Sequence, residues 1–167
     1  MFTSLAAFLE TWAQEAEGTQ RILDTLTDAS LSQAVSADDR TLGRIAWHVV
    51  VSVPEMMEKT GLKFEGINED SPVPATAQEI ADQYRRVSAG IVTAIKEQWN
   101  DQVLAEERNM YGQMWTIGTT LQVLVFHQIH HRGQMTVLMR QAGLKVPGVY
   151  GPAREEWQQM GRQAPAV

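Results

Sequence analysis

The chain has 167 residues, of which 44% are hydrophobic and 20% charged, with a net charge of −6 and no cysteine. This is the composition of an ordinary soluble globular protein, long enough for one domain over residues 1–167 to bury roughly 70% of its unfolded surface without a covalent staple. It excludes disulfides, thiolate metal ligands and cysteine nucleophiles, while the acidic balance argues against nucleic-acid binding and apolar runs far short of ~20 residues argue against a membrane span.

The first apolar pattern, Leu5, Phe8, Leu9, Trp12, Ala16, Ile22, Leu23 and Leu26, recurs every three or four residues and predicts a helix over 3–27. With no basic stretch leading into an apolar one ahead of it, a cytoplasmic location is expected. A second helix, about 38–60, is apolar nearly all round at Ile45, Ala46, Trp47, Val49, Val50, Val51 and Val53, so it should be buried. Gly61 is its expected stop and Pro54 its expected kink. Residues 62–74 read as a connection, long enough to permit a crossover.

A third helix opens on Thr76 and Glu79, which have the spacing of a capping box, and continues to about Trp99. A mixed stretch with little sign of strands leads to a fourth helix, about 116–142, ended by Gly143. Pro152 is placed to start a short C-terminal helix over 153–160. The economical architecture is all-α, a four-helix bundle with a crossover connection.

Three of the four histidines fall within FHQIHHRGQM on the fourth helix. His127 and His131, four apart, can present two imidazole nitrogens to one ion; His130, three from His127, competes for the role. Measured from the apolar seam, His131 lies roughly 40°, His127 roughly 80° and His130 roughly 140° away, so His130 should lean outward. Gln128 stands where a metalloprotease HExxH motif has its glutamate, which removes that mechanism. The remaining histidine, His48, lies in IAWHVVV on the second helix, and helix phase does not fix its direction.

The segments RIAWHVV and HQIHHRGQMTVLMRQAGLKVPGVYGP resemble the DinB/YfiT-like superfamily, small four-helix bundles that bind a divalent metal through three histidines. The resemblance implies that His48, His127 and His131 are the ligands, that the bundle has a crossover, and that the protein is a homodimer. It leaves the reaction open, because the superfamily includes thiol-dependent transferases and isomerases, proposed metal-dependent hydrolases, and members with no assigned activity, some named for DNA-damage induction.

Three neutral imidazoles leave at least one coordination position open, the arrangement of a catalytic site. Zinc, nickel, iron(II), manganese or copper suits all-nitrogen ligation. Such an ion can activate water for hydrolysis or hold an external low-molecular-weight thiol for attack on an electrophile, and with no cysteine in the chain the thiol must come from outside. The expected function is therefore a metal-dependent S-transferase or hydrolase acting on a small molecule; a non-catalytic metal-binding structural or stress-response module is the alternative. Gln134 shares the ligand face, Glu55 is a candidate acceptor for an imidazole N–H, and Tyr111, with Gln113 and Trp115, is a candidate pocket wall. Arg132 is expected to pair with an acid or lie at an interface.

Overall fold

A computed structural model of the chain describes residues 1–166. Its long helices are α1 (Leu5–Asp24), α2 (Leu42–Thr60), α3 (Ala77–Gln98) and α4 (Ile117–Gln141), close to where the apolar periodicity puts them. Each starts at a hydroxyl residue whose side chain accepts a backbone N–H from three residues on: Ser4 from Ala7, Thr41 from Arg44, Thr76 from Glu79 and Thr116 from Thr119. α2 stops at Gly61, whose φ of 87° is a left-handed conformation that glycine adopts without steric cost. Among the described residues, no helix is long and apolar enough to cross a membrane.

α1 packs mainly against α3 and α4, and α2 packs against the same two, so α1 and α2 occupy one diagonal of the bundle and α3 and α4 the other. The diagonal crossings are made by residues 25–41, which include a 3-10 turn at Asp28–Ser32, and by residues 99–116. The connection after α2, expected to permit a crossover, instead joins neighbouring helices. It is held along α2: the Trp47 indole N–H donates to the Ser71 carbonyl at 2.9 Å, and Gly66 fits against Pro54, where an added Cβ would come within 2.5 Å of the ring. Trp12 ties α1 to α3 in the same way, donating to the Ser88 carbonyl at 3.2 Å. One continuous apolar core, including Phe8, Val50, Tyr84, Ile91, Leu121 and Met135, fills the space between all four helices.

Two expectations are corrected. The mixed stretch before α4 contains an antiparallel hairpin, β1 (Glu107–Met110) and β2 (Gln113–Thr116), turning through Tyr111 (φ 56°) and Gly112 (φ 85°). Positive φ at both central residues is the primed turn that matches the strand twist, but Tyr in place of the usual Asn hides it in the sequence. The helix expected over 153–160 is a series of turns: Glu156 N–H reaches Ala153 and Arg162 N–H reaches Trp157, with a single helical-type bond from Met160 to Glu156. The Glu156 carboxylate accepts from the backbone N–H of Gly148 and Ala153, which folds the tail back on itself and leaves no room for a regular ladder.

Arg132 does pair with an acid. It is 2% exposed, and its guanidinium donates to the Glu15 carboxylate at 2.5 Å, the Glu15 carbonyl at 2.9 Å and Thr19 Oγ1 at 3.0 Å, joining α4 to α1. The Tyr150 hydroxyl accepts from Arg132 and donates to Glu15 at 2.6 Å, which fastens the tail to the same pair. Removing one partner strands a buried charge, at a cost of about 3 kcal/mol. Glu15→Ala is therefore expected to lower the melting temperature by roughly 6–12 °C; the double variant Glu15→Leu/Arg132→Met should recover most of the loss in the same thermal melt.

Candidate metal centre

α2 and α4 are neighbours, and the buried amide of Gln128 sets how they lie against each other. Its Nε2 donates to the Val49 carbonyl at 3.1 Å, and its Oε1 accepts from the Tyr84 hydroxyl of α3 at 3.1 Å. Gln128 follows His127 and Val49 follows His48, so this bond places the two histidines side by side. His131, one turn further along α4, completes the set. His127 Nε2 lies 3.1 Å from His48 Nε2 and 3.1 Å from His131 Nε2, and the ligand atoms of the three all fall within 4.8 Å of one another. His130 is exposed, its ring packing edge-on against His131 outside the cluster.

Nitrogen lone pairs aimed at a common point repel unless a proton or a metal cation lies between them. Three imidazoles bound about 2.05 Å from an ion at angles between 90° and the tetrahedral value would sit roughly 2.9–3.4 Å apart, and the two spacings from His127 fall in that range. Hydrogen bonding supports the same assignment: His131 Nδ1–H donates to Gln134 Oε1 at 2.7 Å, which leaves Nε2 as the bare, ligating nitrogen. His127 Nδ1 is buried without a hydrogen-bond partner among the described residues. An unpaired buried polar atom costs about 1–3 kcal/mol, a cost that a strong bond from Nε2 to a divalent ion offsets and that a contact with another imidazole does not. Burial, followed by the neighbouring positive charges, depresses His48 and His127 to about 4 and also lowers His131. All three are then neutral at physiological pH, the state that ligates.

A cavity of about 480 Å³ opens beside the cluster. Its lining includes His48, His127, Arg40, Arg44, Glu55 and Tyr111. Glu55 accepts from the Tyr111 hydroxyl at 2.7 Å and pairs with Lys59 at 3.1 Å; its partners are these and not an imidazole. Burial, then the Glu55 contact, raises Tyr111 well above the usual phenol range. Of the expected wall residues Tyr111 lines the cavity, while Trp115 packs edge-on against it at 6.1 Å and donates to Gln113 at 3.2 Å on the hairpin. Three residues of the site carry little signal in the sequence: Gln128 stands out there only as a missing glutamate, and Arg40 and Arg44 as ordinary charged residues. Arg44 precedes His48 by one turn, a same-face spacing legible in advance.

The DinB family profile matches residues 1–164. A relative from Bacillus subtilis (strain 168), the uncharacterized protein YrdA, is 52% identical over 167 residues, the whole of both chains. A crystal structure of a DinB-like protein from Bacillus cereus ATCC 10987, 49% identical, covers 90% of this chain and 100% of its own, with a TM-score of 0.87. The fold extends to a DinB-like protein from Bacillus subtilis, YjoA, at 16% identity, 86% and 97% coverage and a TM-score of 0.67.

Two outcomes follow from the geometry. Gln128→Leu leaves the Tyr84 hydroxyl without its acceptor and frees the helix register, so divalent-ion affinity measured by chelator competition should fall about 10- to 100-fold. In the metal-free protein, the unfolded chain takes up protons on these histidines near 6.5 while folded His48 and His127 resist until about 4. Their contribution to stability is thus complete above the unfolded value and lost as pH falls toward the folded one; chelator-treated protein should melt progressively lower across that window, and His48→Gln/His127→Gln should flatten the dependence.

Proposed function

This chain belongs to the DinB family, and on that premise we propose that it is a metal-dependent enzyme acting on a small molecule through His48, His127 and His131. The observation that carries this reading is the convergence of three neutral Nε2 atoms beside an open cavity. Zinc, nickel, iron or manganese fits the all-nitrogen donor set. When bound, the ion supplies Lewis acidity that makes a water or thiol nucleophilic at neutral pH.

The chain's own residues orient and hold protons. Gln134 fixes the His131 ring and its tautomer through the Nδ1–H bond. Tyr111 Oη keeps its proton and shares it with Glu55 Oε2 at the cavity wall, where the pair is a donor and acceptor for a substrate polar group. The cavity is within the range of small-molecule sites and wide enough for an external thiol. S-transfer from a low-molecular-weight thiol and hydrolysis of a small molecule are the two reactions that such a site serves. Cytoplasmic residence, a single functional domain over residues 1–167 and a homodimer belong to the same reading. The dimer contact would be the outer face of α4, where Phe126 and Val137 are 56% and 55% exposed.

Metal analysis of the purified protein should find a divalent ion, lost from His48→Ala, His127→Ala and His131→Ala and retained by His130→Ala. In a screen of low-molecular-weight thiols against electrophilic acceptors, turnover should vanish with the ion in His131→Ala. An ion whose removal lowers the melting temperature but changes no turnover would assign the site to a structural module instead.

A further inference from the structure

Arg40 and Arg44 line the cavity beside the histidines, and among the described residues neither guanidinium has an ion-pair or hydrogen-bond partner. Every other arginine except Arg162 has a carboxylate partner. The contrast is not for want of acids, since Glu55, Glu69 and Asp70 line the same cavity.

Distance along α2 separates Arg44 from Glu55. Arg44, His48 and Ser52 follow at one-turn intervals on a single face, so Arg44 lies about 6 Å from His48 along the axis, while Glu55 lies about 16 Å from Arg44. Glu55 is already engaged by Lys59 and Tyr111, and Trp47 anchors the connection carrying Glu69 and Asp70 through the Ser71 carbonyl. Arg44 and Glu55 therefore mark opposite ends of the cavity wall that α2 supplies, with His48 between them.

Two like charges left unpaired in one cavity make a forked site for an anion, and guanidinium binds carboxylate and phosphate with paired hydrogen bonds. We propose that Arg40 and Arg44 form the anion-binding end of the substrate pocket. The substrate is then a small molecule whose carboxylate or phosphate lies about one helical turn from the atom that reaches the three-histidine centre. This inference rests on the metal-centre reading, and its test separates the two.

Cobalt(II)-loaded protein gives a sulfur-to-cobalt absorption band when a thiol binds. Titrations with 2-mercaptoethanol, 3-mercaptopropionate and 2-mercaptoethyl phosphate hold the sulfur donor constant and vary only the anion. At least one anionic thiol should bind about tenfold tighter than the alcohol. Arg40→Gln/Arg44→Gln should abolish that advantage, bringing the anionic thiols to the affinity of 2-mercaptoethanol measured on the same variant. Whichever anion gains more from the arginines identifies the head group. Equal affinities on a loaded centre, or a preference that survives the double variant, would overturn the anion site alone. Cobalt that fails to load would overturn the metal reading, and this inference with it.

Discussion

One buried amide sets the relation between the two helices that matter most. Gln128 is fully buried and uses both ends of its side chain, toward Val49 on α2 and toward Tyr84 on α3. A side-chain amide in an apolar core is tolerable only when its donor and acceptor capacity is met, which restricts α4 to one rotation and one register against its neighbours. Apolar packing alone would permit small sliding adjustments between helices. A centre built from nitrogens on two helices, spaced 3.1 Å apart, would not survive them. The ligand geometry is thus inherited from a hydrogen bond outside the ligand set.

The centre itself opposes stability. It gathers three imidazoles at the edge of the core, leaves His127 Nδ1 buried and unpaired, and holds two of the rings far below their ordinary proton affinity. The rest of the fold offsets that strain with ties at a distance. The Arg132–Glu15–Tyr150 knot joins α1, α4 and the tail, and indole hydrogen bonds from Trp12 and Trp47 secure α3 and the connection after α2. None of these ties uses a ligand histidine, so they hold the helices without occupying the imidazole lone pairs.

Helix positions were legible because each carries a 3.6-residue apolar period and a hydroxyl cap, and both properties are local. The pairing of helices was not local. Which pair lies on which diagonal depends on how faces interdigitate, so the length of the connection after α2 could permit a crossover without deciding where it lies. The hairpin was hidden for a different reason: its strands have four residues each, too few for an alternating pattern to stand out, and its turn puts Tyr111 where Asn is usual. At the site, i and i+4 spacing brought out His127 and His131, and phase set His130 aside. His48 needed the family resemblance, because α2 is buried on nearly every side and has no polar face to read against.

The arginines show why residue type alone does not assign a role. Arg132 and Arg44 both lie within one turn of a ligand histidine, Arg132 directly after His131 and Arg44 four residues before His48. Arg132 points away from the centre into the bundle, where Glu15, Thr19 and Tyr150 saturate it. A guanidinium so saturated and so buried cannot also engage a ligand. Arg44 is exposed, shares a face with His48 and has no side-chain partner among the described residues. A chain with net charge −6 has acids to spare for neutralising its cations, and leaving two of them bare beside a metal-type cluster keeps that end of the cavity positive. The field there favours small anions over cations as they approach the histidines. Burial maintains the ligands in their neutral, binding form, and the bare arginines beside them select the molecules that reach them.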